Sequence, residues 1–204
     1  MEVKKRRGRP PKNQFQQDIT PKVIDFKSLT RLNDLDIDPR MLETMPSGIE
    51  LMDEFISHEG GVPCSTNIMV IGDPGVGKTS ILLDTLSSIE KSGRKCLFIS
   101  GEMGRKQMFK YTKRFKQFGC VTTLFLSDFL EFNSKDVVEQ VLSKGFDCVL
   151  IDSIAEVVDS VRDDNKWDRK TAESWLVDTC VKNNKGENNE SKFTSFLLIQ
   201  QVTK

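Results

Sequence analysis

One octapeptide constrains this chain more than any other feature. Gly72-Asp73-Pro74-Gly75-Val76-Gly77-Lys78-Thr79 fits the pattern G-x-x-x-x-G-K-[ST]. It follows a short apolar run at residues 66–71. It precedes residues 79–90, where Ile81, Leu82, Leu83, Leu86 and Ile89 recur at helical spacing. A strand, a glycine-rich turn and an amphipathic helix in that order suit phosphate oxygens. The glycines let backbone N–H groups converge on one point, and the helix adds its positive N-terminal end. Lys78 is then expected to reach the outer phosphates and Thr79 to hold Mg²⁺. The alternative is a glycine-rich turn with an incidental lysine, against which the flanking strand and helix argue.

The rhythm continues beyond the octapeptide. Residues 95–100, 120–126, 147–152 and 193–200 read as further short apolar strands. Between them, Met108, Tyr111, Phe115 and Phe118 form a helical stripe, and residues 136–143 and 171–182 read as helices. Near-continuous apolar strands alternating with helices predict an α/β fold: a mostly parallel sheet with helices on both faces.

Such a sheet collects the C-terminal ends of its strands at one edge, where ligands bind. Three polar residues beside the octapeptide sit at such ends. Asp152 closes an apolar strand and is placed to hold a Mg²⁺ ion, or else to cap the next helix. Glu102 follows residues 97–100 and is placed to hold and polarise an attacking water, or else is a solvated loop acid. Gln201, at the tip of the last strand, is placed to donate to a phosphate or its water, or else is an ordinary polar residue at a sheet edge.

Composition narrows the class. At 37% hydrophobic and 29% charged over 204 residues, the chain is globular rather than disordered or fibrous. No apolar run approaches the roughly 18 residues of a membrane span, and the charged N-terminus has no secretory h-region. Five widely spaced cysteines without a C-x-x-C read as free thiols, buried where they fall in apolar runs, in a reducing compartment. A single histidine, His58, argues against Cys/His zinc sites and most histidine-based triads. The chain is formally neutral, with 30 basic and 30 acidic residues. Six of those basic residues and one acidic residue fall within residues 1–12, so the rest carries 24 against 29. Residues 1–22 read as a disordered basic tail, 23–60 as an N-terminal lead-in segment and 61–204 as the core.

Further stretches carry a family resemblance. Met45-Pro46-Ser47-Gly48-Ile49-Glu50-Leu51-Met52-Asp53, then Gly60-Gly61-Val62-Pro63, then the phosphate loop, resembles the lead-in to the RecA-like P-loop ATPase core. Ile99-Ser100-Gly101-Glu102-Met103 resembles the segment bearing that family's catalytic glutamate, and Val149-Leu150-Ile151-Asp152-Ser153 its Walker B strand. The chain is most similar to the RadA/Sms DNA repair type, with likeness also to DnaB-type helicases and KaiC-like cores. The resemblance implies ATP and Mg²⁺ as cofactors and nucleotide contacts from Gly72 through Ser80. It implies catalytic roles for Lys78, Glu102 and Gln201, and a homo-oligomeric ring or filament. It puts residues 159–173 at the first DNA-facing loop, with Arg162, Lys166 and Arg169 as contacts to single strands; a solvated loop with Trp167 packed on the domain is the alternative. It also leads one to expect more strands after Lys204, without which residues 66–71 become an exposed apolar edge.

In the tail, Lys5-Arg6-Arg7-Gly8-Arg9-Pro10 resembles an AT-hook. Arg7 and Arg9 would run along a narrow A·T minor groove, Gly8 would leave its floor clear and Pro10 would keep the chain extended. A generic basic tail or localisation signal is the alternative. Together these features imply a DNA-associated RecA/RadA-like ATPase of a cytoplasmic or other reducing, DNA-containing compartment. A DnaB-type replicative helicase core and a non-catalytic nucleotide- and DNA-binding adaptor are the rivals.

Overall fold

The computed structural model describes residues 29–202. The chain divides between Asp36 and Ile37. Of the first unit, a 3-10 turn at Leu32–Asp34 is described. The tail motif Arg7-Gly8-Arg9-Pro10 lies outside the described residues.

The second unit starts well before the boundary expected at residue 61. Asp38 accepts from the backbone of Arg40 and caps a 3-10 turn at Pro39–Leu42. Strand β1 (Thr44–Met45) then pairs antiparallel with β2 (Val62–Pro63), closing a loop that carries helix α1 (Glu50–Ile56). Met45 and Val62 are fully buried, so this segment is part of the core rather than a lead-in to it.

The main sheet holds β3 (Asn67–Gly72), β4 (Cys96–Ser100), β5 (Thr123–Phe125), β6 (Cys148–Asp152) and β7 (Ser195–Gln201). Its order is β3-β7-β6-β4-β5 and every pairing is parallel. The connecting helices are α2 (Lys78–Lys91), α3 (Arg105–Arg114), α4 (Ser134–Leu142), α5 (Ile154–Asn165) and α6 (Arg169–Asn184). Successive side chains of a strand point to opposite faces, and each face has its own core. Leu97, Ile99, Val149, Ile151, Phe196 and Leu198 pack against α4, α5 and α6. Phe98, Leu150, Leu197 and Ile199 pack against α2, with Met108 of α3 and Phe118 completing the layer. The expected α/β architecture is therefore the observed one.

Three details differ from the sequence reading. The strand read at residues 120–126 is three residues long, flanked by 3-10 turns at Lys116–Cys120 and Leu126–Asp128. The stripe through Phe118 leaves the helix at Arg114, and Phe118 packs from the first of these turns. The largest correction concerns residues 159–173, expected as a DNA-facing loop. They form the end of α5, a short turn and the start of α6. Val157, Val158 and Val161 bury one side of α5 completely. Lys166 ends α5 in a left-handed conformation, and Asp168 caps α6 by accepting from Thr171 N.

Among the described residues strand β3 pairs with β7 alone, and Met69 and Ile71 are 53% and 60% exposed. This is the apolar edge expected of residues 66–71. All five cysteines are free, and all but Cys120 are buried. Among the described residues no helix is long and apolar enough to cross a membrane.

Candidate functional site

The parallel register brings the sequence candidates together. Gly72 and Gln201 are Cα partners across β3 and β7, and Ser100 and Asp152 are partners across β4 and β6. The loop leaving β4 is clipped to the tip of β6, because Gly101 N donates to the carbonyl of Asp152 at 2.9 Å. Glycine is needed there: a Cβ on Gly101 would stand 2.9 Å from Glu156 Cβ.

The octapeptide forms the turn that the sequence suggests. Gly75 and Gly77 have φ of +81° and +93°, a region that L side chains rarely occupy. Helix α2 starts at Lys78 with no side-chain cap, which leaves its first-turn N–H groups available to an anion. Lys78 is buried to 9% exposure and its ammonium donates to the carbonyls of Gly72 and Asp73, each at 2.8 Å. Thr79 Oγ1 donates to Asp152 Oδ2 at 2.6 Å. The cap alternative for Asp152 does not hold, since it is Ser153 whose hydroxyl accepts from Glu156 N at the start of α5.

Asp152 is 2% exposed. Burial pushes its carboxyl above the usual range. The Thr79 hydroxyl acts against this, the Glu102 charge adds to it, and Lys78 acts against it. Glu102 itself is exposed on its loop, and Gln201 Nε2 donates to Glu102 Oε2 at 2.8 Å. The two strand-tip residues thus hold each other, and either can still turn toward a ligand.

These residues line one cleft of about 500 Å³. Its far wall comes from the end of α3: Tyr111, Arg114 and Phe115, with the Arg114 guanidinium 5.0 Å over the Phe115 ring. Sequence reasoning missed this wall because Tyr111 and Phe115 read as core spacing. They do pack against the core, and their other edges face the cleft.

The donor set fits a hard divalent cation. Thr79 and Asp152 offer oxygens, and no cluster of three or more His, Cys, Asp or Glu that could hold a metal occurs among the described residues. An ion here would complete its shell with water and ligand phosphates, as Mg²⁺ commonly does.

The remaining candidates are differently placed. Arg162 is paired with Asp159 and Asp163, each at 2.8 Å, and Arg169 with Glu173 at 2.8 Å and Asp159 at 3.5 Å. Trp167 packs, half-buried, against the core. Of the three cations expected to contact single strands from residues 159–173, only Lys166 is without an ion pair among the described residues.

Comparison with known proteins follows the same lines. The family model described as "ATPase: KaiC" matches residues 45–173. The DNA repair protein RadA of Listeria monocytogenes is 35% identical over 101 residues, which is 50% of this chain and 21% of that protein. RadA of Campylobacter jejuni is 30% identical over 95 residues, 47% of this chain and 20% of that protein. RadA of Mycobacterium tuberculosis is 28% identical over 130 residues, 62% of this chain and 26% of that protein. The matched part therefore spans about a fifth to a quarter of these relatives.

Proposed function

The chain belongs to the KaiC-type ATPase family, with a RecA/RadA-like P-loop core, and from that premise we propose that it binds and hydrolyses ATP with Mg²⁺ in DNA repair, recombination or replication. One observation carries the reading. Lys78, Thr79, Glu102, Asp152 and Gln201, arriving from the ends of four strands, line a single cleft.

In this reading the loop from Gly72 to Thr79, with Ser80 behind it, wraps the phosphates with backbone N–H groups. Lys78 leaves the carbonyls of Gly72 and Asp73 and turns to the outer phosphates. Thr79 and Asp152 would hold Mg²⁺, which supplies charge neutralisation at those phosphates. Glu102 holds a water in line and takes its proton. Gln201 fixes Glu102 and, lining the same cleft, would donate to the outer phosphate or its water. Tyr111 and Arg114 offer flat surfaces on which the base can stack.

The proposal extends to DNA as partner, to assembly of several copies, and to an A·T-rich duplex held by Arg7 to Pro10. It does not rest DNA contact on Arg162 and Arg169, whose charges are already paired. Free, mostly buried thiols fit a reducing compartment such as the cytoplasm.

Phosphate release by the full chain, with and without DNA, tests the reading. The wild type is expected to turn over faster with DNA, and Glu102→Gln to bind ATP with about 10²-fold lower turnover or less. No turnover by either protein while both bind ATP would leave the non-catalytic adaptor standing.

A further inference from the structure

Helix α3 and the turn after it carry an unusual charge. From Met103 to Ser127 there are six cations and no acid, in a chain that is neutral overall. Of those six only Arg105 is in an ion pair among the described residues, with Asp128. Lys106, Phe109, Lys110 and Lys113 are all exposed and fall at the spacing of one helical face. Phe109 is 60% exposed, and the Lys113 ammonium stands 5.0 Å over its ring. The opposite face, through Met108 and Tyr111, is committed to the core.

We propose that this outward face of α3 is a binding surface for single-stranded nucleic acid. Free cations along one line neutralise successive phosphates, and an exposed ring among them offers a platform on which any base can stack. Lys106 to Lys113 covers about 10 Å of helix, or roughly three stacked nucleotides at 3.4 Å each. A lipid surface fits less well. A helix lying in a membrane interface buries its apolar side in lipid, and here that side is buried in the protein. The stripe also runs toward Arg114, whose side chain lines the nucleotide cleft. A strand held on α3 would thus lie beside bound nucleotide. The proposal stands whether or not the cleft hydrolyses ATP.

The test is fluorescence anisotropy with a labelled oligothymidylate and the full chain, between about 50 and 200 mM salt. Tail and cleft are unchanged in every variant, and ATP affinity with thermal unfolding reports the fold. Changing Lys106, Lys110 and Lys113 together to Gln is expected to weaken binding and flatten the log–log salt dependence by about 2, at 0.7 per phosphate contact. Phe109→Ala is expected to cost about fivefold or more while the slope stays put. Changing Arg162 and Arg169 to Gln is expected to alter neither. Wild-type affinity and slope in the triple variant would overturn the proposal. So would loss, in that variant, of binding to polyglutamate or phosphatidylserine vesicles while oligothymidylate binding persists; that would make the surface one for acidic proteins or membranes.

Discussion

Strand β6 meets an aspartate at each end, and the two are held in opposite ways. Asp147, just before its start, is 8% exposed and accepts from Lys192 Nζ and from the backbone N–H of Lys95, each at 2.7 Å, with the Arg94 guanidinium at 3.6 Å. Asp152, its last residue, is 2% exposed and has one hydroxyl donor, Thr79. Its nearest charged influences oppose each other, Glu102 raising and Lys78 lowering its affinity for a proton. A buried carboxylate surrounded by cations fastens structure together. One left with a lone hydroxyl is costly as an anion until a cation arrives. The first belongs to the closed end of the sheet and the second to its open cleft.

The contrast can be broken by substitution. Asp152→Asn should lower ATP turnover on the order of 10³-fold, about 4 kcal/mol, with unfolding in denaturant unchanged or shifted to higher stability. Asp147→Asn should do the reverse. With Lys192 left unpaired but partly solvated, and Arg94 keeping only its pair with Glu43, it should lose about 2 kcal/mol in urea unfolding and leave ATP affinity intact. If Asp147→Asn left stability unchanged, that end of β6 would not be a fastener. Gln201→Ala should lower turnover about tenfold without weakening ATP binding, since it frees Glu102 rather than removing it.

A smaller effect lies in pH. The Asp152 carboxyl has a folded-state pKa above its usual value. Its contribution to stability is therefore full below the usual carboxylate range and is lost as pH rises through the raised value. Without divalent ions, the stability advantage of Asp152→Asn over wild type should widen across that window. Mg²⁺ should shrink it. Denaturant unfolding of both proteins over a pH series reads the difference, in which other titrating groups cancel.

The two aspartates also mark how far the sequence could be read. Both flank the same apolar run, and nothing local separates them. Lys192, which neutralises Asp147, lies 45 residues away. Ser153, which takes over the capping role once open to Asp152, is its neighbour, but only the helix it caps reveals that. Strands β3, β4, β6 and β7 and helix α2 were legible because each is a local pattern of apolar spacing, and the octapeptide because its glycines have a local job. Helix α5 was not. Its exposed side is crowded with Asp159, Arg162, Asp163 and Asp164, and three valines carry the burial. The same crowding explains Arg162 and Arg169, which look like free cations in sequence and are ion-paired in space. The Gln201–Glu102 hydrogen bond joins residues 99 apart. Its two members could be placed at one sheet edge from sequence, but not in contact. The end of α3 shows the converse, where residues assigned to the core also wall the cleft.

Asp152 and Thr79, joined at 2.6 Å in the cleft, are proposed as its cation end. Calorimetric titration of ATP into wild type and Asp152→Asn, each with and without Mg²⁺, tests this most directly. Mg²⁺ is expected to tighten ATP binding to the wild type by about tenfold or more and to leave the variant nearly unchanged. An equal gain from Mg²⁺ in both proteins would contradict it.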